Sequence, residues 1–471
     1  METILLLIGV CCIIMLLLKP QRPKNFPPGP EPLPVFGNVL HVRCVCLQCL
    51  SGRYGKVYSL FLGWRPAVVI HGLQAVREAL VTRAVDFAGR PQGMMINHVT
   101  ENKGVLHFPV WLIMGNYGAV WREHRRFALA TMKNFGLGKR SMEERILEET
   151  THICNCLEKS QGRPVDPLSL IHSAASNIIC SVLFGQRYDY NDDVLAFIIN
   201  SFKENAQIAN GAWAAVSSLG TNALSGRRIL DLKMHTQAIV DIYCLCPLSL
   251  HFSPLSHSIF FLSVFVNRSF PLFSCLCLAS LSLTPSHSHP ASLFSFPPAQ
   301  CQREIDRVLG ESLSVSFEDR HRMPFLMATI HETQRLANIA PLGVFHATTR
   351  DTKLMGYDIP EGTLIITNLT SVLFESTSWE RPNDFYPGHF LDEDGQFVKP
   401  DAFLAFSAGP RVCLGELLAR MELFLILVSL LRRFLLVWPE DAARPDLTPV
   451  FGGIQSPRPY RVTFRLRAKP C

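Results

Sequence analysis

Between Ile242 and Gln302 a single residue, Arg268, carries a formal charge, and Ser, Leu, Phe, Pro and Cys make up most of the rest. A stretch with neither charge nor an apolar period has no solvent face to present as a helix or a strand. Pro247, Pro254, Pro271, Pro285 and Pro290 interrupt it before any apolar run reaches the roughly 18 residues that a membrane helix needs. Extra spans at 258–266 or 272–283 are therefore disfavoured. Ser, Leu, Phe and Pro are the residues that pyrimidine-rich codons encode, and the segment closes on Ser295-Phe296-Pro297-Pro298-Ala299-Gln300. That is how a translated polypyrimidine tract reads as it meets a splice acceptor. Residues 242–300 are accordingly read as a retained intron, and the fold has to be assembled from the blocks 25–241 and 301–471.

Those blocks are mainly α with a small β part. Residues 56–62 and 67–70, joined through Gly63-Trp64-Arg65-Pro66, read as a β-hairpin. Apolar residues recur near the 3.6 period over 73–82, 117–132, 141–158, 167–184, 299–309, 324–338 and 415–435, each a predicted helix. Hydrophobic residues reach 48% while charged ones stop at 18%, below the roughly 25% of a soluble domain, which points to membrane contact. Residues 3–18 carry no charge, and Lys19, Arg22 and Lys24 follow them. With no small-residue cleavage site, residues 1–24 read as an uncleaved anchor with a basic flank, leaving the bulk of the chain in the cytosol. The prolines from Pro27 to Pro34 then form a stiff hinge. A net charge of +6 is too mild to argue for nucleic acid. Fifteen scattered cysteines suit a reducing compartment better than a disulfide framework. The clusters Cys44/Cys46/Cys49 and Cys154/Cys156 lack the matched second pair of a zinc site.

The strongest chemical signal is Phe406-Ser407-Ala408-Gly409-Pro410-Arg411-Val412-Cys413-Leu414-Gly415, which runs into a long amphipathic segment from Glu416. A glycine-bracketed loop presents one cysteine at a helix start, where the partial positive charge favours thiolate over thiol. Gly409 and Gly415 permit tight turns and close approach to a flat ligand. Arg411 can pair with an acidic group of that ligand, and Phe406 shields the sulfur.

This loop resembles the cysteine-ligand loop of the cytochromes P-450, and the resemblance extends over most of residues 1–240 and 301–471, nearest to the vertebrate microsomal family 2. It implies the cytochrome P-450 fold, a single large haem domain behind an N-terminal membrane anchor. Cys413 is then the axial thiolate of haem b, and the reaction is monooxygenation. It implies as partners an NADPH-dependent flavoprotein reductase, cytochrome b5, O₂ and a small hydrophobic substrate such as a lipid, steroid or xenobiotic, at the endoplasmic reticulum membrane. Trp121 and Arg125, one helical turn apart, resemble the donors that clamp a haem propionate, with His346 and Arg411 beside them. Glu332 and Arg335, within Glu332-Thr333-Gln334-Arg335, resemble the structural ion pair bracing the haem core. Arg122, Arg126 and Lys133 lie on the helix of Trp121, where the reductase would dock.

Departures from the family pattern matter as much. The Ala/Gly-Gly-x-Asp/Glu-Thr motif, whose acid and alcohol deliver protons to bound oxygen, is absent from the chain, and its expected place falls in the 242–300 segment. The helices preceding it read as truncated near 214–241, and residues 108–114 read as several residues too long. In Phe385-Tyr386-Pro387-Gly388-His389-Phe390, His389 replaces the Arg that usually completes the Glu–Arg network, which predicts a weaker network. Two further readings follow: a homologue without catalysis, and a haem-thiolate isomerase that needs no reductase.

Overall fold

The computed structural model describes residues 20–34, 36–38, 44–92, 112–183, 185–200, 298–312, 314–439, 446, 448–451 and 454–468. The run 3–18, the stretch 108–111, residues 214–241 and the 242–297 part of the anomalous segment lie outside them.

Helix α1 (Cys44–Tyr54) leads into the hairpin of β1 (Val57–Leu62) and β2 (Arg65–His71). Then α2 (Leu73–Arg77) continues as a π-helical turn, Glu78–Thr82. Three longer helices follow, α3 (Ala119–Asn134), α4 (Arg140–Lys159) and α5 (Pro167–Leu183). Described structure resumes with α6 (Pro298–Leu309), so three residues assigned above to the anomalous segment are helical. Beyond α6 come α7 (Pro324–Ala337), the short strands β3 (His346–Ala347), β4 (Thr352–Leu354) and β5 (Tyr357–Ile359), β6 (Leu364–Asn368) and α8 (Thr370–Leu373). The last long helix, α9 (Glu416–Arg433), runs directly into β7 (Phe434–Val437), which pairs with residues Thr463–Leu466.

Two of the ties between the block before the anomalous segment and the block after it lie at the four-stranded sheet. In the four-stranded sheet, ordered β1-β2-β6-β3, β2 lies parallel to β6 with Val69 opposite Ile366. The Ala347 amide donates to the Gly89 carbonyl at 2.9 Å, which brings the residues after α2 against β3. Helix α6 is also fixed to α7. The Glu304 carboxylate accepts from the amides of Phe325 (3.2 Å) and Leu326 (2.8 Å), capping α7 where its free N–H groups favour an anion.

Helix α9 differs from its sequence reading. It has no Gly or Pro, begins with Glu416 and ends with Arg432 and Arg433, charges that suit its dipole. It is not amphipathic, however. From Met421 to Leu431 only Ser429 escapes burial, because α9 is the central rod against which α4, α6 and α7 pack, and such a helix is apolar all round. Even Glu422 is buried there, one carboxylate oxygen lacks a partner among the described residues, and burial pushes its pKa up to about 8.

Candidate haem-binding site

Cys413 sits where a folded-back loop meets the start of α9. The Cys413 amide donates to the Phe406 carbonyl at 3.1 Å, closing the loop on itself. Ser407 and Gly409 both take positive φ (65° and 72°). The need for glycine at 409 is different from that expected: a Cβ there would lie 1.9 Å from the Leu80 carbonyl oxygen of the π-helical turn. Gly409 thus serves close packing of protein on protein. Gly415 has φ −85°, open to any residue. Its contribution is its backbone amide, which with that of Glu416 donates to the Cys413 sulfur.

Those amides and the Arg125 charge favour thiolate, as predicted from the helix start, but they do not win. Burial raises the Cys413 pKa and Glu416 adds to the rise. A thiolate at this position needs a further positive charge, which a coordinated metal ion supplies.

Beside the sulfur, four segments bring together Arg90, Trp121, Arg125, His346 and Arg411. The Arg411 guanidinium lies 4.0 Å over the Trp121 ring and donates to the carbonyls of Ala88 (Nε, 2.8 Å) and Gly115 (Nη2, 2.6 Å). The Trp121 indole, predicted to donate to a bound carboxylate, donates instead to the Leu112 carbonyl at 2.8 Å. Arg125 holds the Val412 carbonyl through Nη2 at 2.6 Å, which fixes the residue preceding Cys413. His346 sets Nδ1 against the Phe87 carbonyl at 2.8 Å, so Nδ1 carries the hydrogen, while burial, Arg90 and Arg411 keep the ring neutral.

Arg90 was not anticipated. In Gly89-Arg90-Pro91 a lone arginine between two turn formers reads as a solvated loop residue. It is 4% exposed, with Nε on the Ile113 carbonyl at 2.7 Å and Nη1 on the Phe345 carbonyl at 2.7 Å. Among the described residues no carboxylate forms an ion pair with Arg90, Arg125 or Arg411. Burial and the neighbouring guanidiniums hold Arg90 down to about 9 and Arg411 down to about 8, and Arg125 is lowered mainly by burial. Two buried cations and a half-buried one, with no carboxylate paired to them among the described residues, form a site that asks for negative charge.

Behind this cradle, Arg335 grips Glu332 through Nε and Nη2, both at 2.8 Å, with both side chains fully buried. The same guanidinium donates to the carbonyls of Leu373, Pro382 and Asp384, so α7 is pinned to α8 and to the loop after it. His389 completes the network: Nδ1 stands 3.2 Å from the second Glu332 oxygen, while Nε2 accepts the Arg381 amide at 3.1 Å. An acceptor at Nε2 and a donor at Nδ1 define a neutral imidazole. It adds a hydrogen bond to the network where an arginine would add a second charge.

A model of the cytochrome P450 family matches residues 27–227 and 298–464. The chain belongs to the cytochrome P450 family. It is 37% identical over 499 residues to cytochrome P450 2C16 of Oryctolagus cuniculus, covering 98% of this chain and 99% of that one. Identity is likewise 37% over 484 residues to cytochrome P450 2D3 of Rattus norvegicus (96% and 95%) and over 502 residues to cytochrome P450 2F3 of Capra hircus (99% of each). The family's cofactor is a haem with a cysteine thiolate ligand, and its reaction is monooxygenation.

The residues present fit that group. A haem would bring two carboxylates, the anions that the Arg90, Arg125 and Arg411 cluster lacks among the described residues, and an iron that would favour a Cys413 thiolate against its burial. Arg122, Arg126 and Lys133 of α3 are exposed. Among the described residues, no helix is long and apolar enough to cross a membrane.

Proposed function

We propose that this protein is a haem-thiolate monooxygenase of the endoplasmic reticulum membrane, acting on a small hydrophobic substrate with electrons from NADPH through a flavoprotein reductase. The observation that carries the reading is the trio of guanidiniums, two buried and one half-buried, with no carboxylate paired to them among the described residues, beside a cysteine at the start of a buried helix. When bound, haem b supplies the activation of O₂. The chain's own groups do the rest. Cys413 would supply the sulfur that holds the iron, and the amides of Gly415 and Glu416 would hold its negative charge. Arg90, Arg125 and Arg411 neutralise the propionates, while Trp121 and His346 wall the cradle. Glu332, Arg335 and His389 keep α7 and the following loop fixed behind it. The exposed cations of α3 offer a docking face to the reductase or to cytochrome b5. The apolar segment 339–344 suits lipids, steroids or xenobiotics.

The test is spectroscopic. The reduced protein under carbon monoxide should show the red-shifted Soret band of thiolate ligation, and Cys413→Ser should abolish it. No such band in the wild-type protein overturns the reading.

A second reading rests on a separate observation: the chain has no acid–alcohol motif, and the family match breaks between residues 227 and 298. In it, the protein binds haem without activating oxygen, and residues 242–300 are retained intron. Reconstitution with reductase and NADPH separates the two, since a thiolate spectrum without NADPH consumption supports the second. Turnover of a hydroperoxide without NADPH would favour an isomerase. Mature transcript lacking the codons for 242–300 supports their intronic origin, and transcript containing them refutes it.

A further inference from the structure

The start of α9 holds a carboxylate and a pair of cations beside the Cys413 sulfur. Glu416, the first residue of the helix, gives its amide to that sulfur together with the amide of Gly415. The sulfur thus occupies the helix end where a carboxylate is otherwise at home. The Glu416 carboxylate pairs instead with Arg420 Nη2 at 2.5 Å and Lys399 Nζ at 3.6 Å. Arg420 stands one turn further along α9, in the favourable i,i+4 order. Lys399 comes from the chain before the Cys413 loop, its ammonium 5.7 Å over the Phe403 ring. On dipole grounds alone, cations are misplaced at the positive end of a helix. The carboxylate accounts for them, and the carboxylate matters because of the sulfur. The charges that bear on Cys413 are those of Glu416, which opposes a thiolate, and Arg125, which favours one. Arg420 and Lys399 therefore act on Glu416, and only through it on the sulfur. His331, which burial and the Arg420 charge hold down to about 3, stays neutral and leaves the guanidinium to Glu416. The Arg420 side chain is 22% exposed and that of Lys399 44%, so solvent and salt damp the lysine pair more than the arginine pair.

We propose that Arg420 and Lys399 are positioning residues which, by holding the Glu416 carboxylate off the sulfur, set the reduction potential of the iron that Cys413 would hold. The proposal rests on the haem-thiolate reading. A carboxylate freed at this helix end turns toward the amides that the sulfur uses and adds negative charge beside it. The sulfur then donates more strongly, which favours the ferric ion over the ferrous. With both cations in place the carboxylate is neutralised and drawn along the helix, and the ferrous ion is easier to reach. Arg420 carries most of this effect because it is the closer and less exposed partner, and Lys399 adds the part that salt screens.

The haem-loaded full-length protein is reduced stepwise in the presence of mediator dyes, and the ferrous-to-ferric ratio at one applied potential is read in the Soret region. Arg420→Gln should lower that ratio roughly three- to tenfold, and the stretching frequency of carbon monoxide on the ferrous protein should fall with it. Arg420→Lys keeps the charge and should stay within about twofold of wild type. Lys399→Gln should act in the same direction by about twofold at low salt and lose its effect at high salt. In a Glu416→Gln background, Arg420→Gln should change the ratio by less than about twofold, because the group it positions is gone. Equal falls with and without Glu416, or no fall in Arg420→Gln, overturn the proposal. Should Arg420→Gln take up no haem, Lys399→Gln with and without Glu416 decides in the same terms, and no fall at low salt overturns it. Wild-type protein without the thiolate-type carbon monoxide band overturns the haem reading and this proposal together, whereas an intact band with unmoved ratios overturns the proposal alone.

Discussion

Replacing Arg411 by methionine should cost much with haem bound and little without it. On the proposed reading bound haem would give Arg411 a carboxylate, and a hydrogen bond to a charged partner contributes about 1.5–3 kcal/mol. Losing it should speed haem loss roughly 10- to 150-fold. Without haem the same guanidinium is a buried cation beside Arg90 and Arg125, displaced from its usual 12.5 to about 8 by burial and by their charges. Deleting it removes that repulsion. Against this relief stand the Ala88 and Gly115 carbonyls, which lose their donors at about 1 kcal/mol each. The apoprotein should therefore unfold in urea within ~1–2 kcal/mol of wild type, in either direction. Haem transfer to excess apomyoglobin, followed in the Soret region, gives the other half of the comparison. Arg411→Lys keeps the charge without the fork and should fall between. Equal destabilisation of both states would show that Arg411 only braces the Ala88 and Gly115 carbonyls, and unchanged haem release would refute the cradle.

Four further outcomes follow from the same geometry. Glu332→Gln leaves the fully buried Arg335 with an uncompensated charge and should cost about 3–5 kcal/mol in chemical denaturation. Arg335→Lys should cost nearly as much, because an ammonium cannot span the carboxylate and three carbonyls. Gly409→Ala forces an unfavourable positive φ and a Cβ into the Leu80 carbonyl, an expected loss of roughly 3 kcal/mol or more together with the thiolate-type carbon monoxide spectrum. Glu422, raised by burial from 4.5 to about 8, holds its proton in the folded chain after the unfolded chain has released it. Its stabilising contribution is complete below pH 4.5 and is lost as pH rises to about 8, at up to ~1.4 kcal/mol per pH unit. Glu422→Gln should flatten that slope in urea titrations and be the more stable protein above neutrality; parallel pH profiles for the two would sink this account.

What the residues disclosed follows the range of each interaction. Helix periodicity is local, so α3, α4, α5, α6 and α7 fell close to their predicted positions, and Gly63 marked the hairpin. Parallel pairing of β2 with β6 joins residues some 300 apart, and nothing local announces a parallel partner. Periodicity also misjudged α9, since a rod packed on all sides shows no polar face to locate. Cys413, Arg411, Trp121 and Arg125 could be singled out because motifs carry them, but the Leu112 carbonyl that takes the Trp121 N–H could not. Arg90 was not, because its role comes from carbonyls at 113 and 345 that only the fold delivers. The single clue available was its place between Gly89 and Pro91.

Holding haem and using it are separable in this chain. The sulfur, its two amide donors, the guanidinium cradle and the Glu332–Arg335–His389 network all come from residues 87–125 and 332–416, and each makes its contacts within the described parts of the two blocks. Their energetics are electrostatic and complete without the acid–alcohol pair missing from the sequence. Proton delivery to oxygen is a different requirement, met in the family by that pair. An intact thiolate spectrum would therefore be no argument for turnover, and absent turnover would be no argument against the cradle. The two measurements have to be made on the same preparation, because only their combination tells a working monooxygenase from a haem protein that has lost its oxygen chemistry.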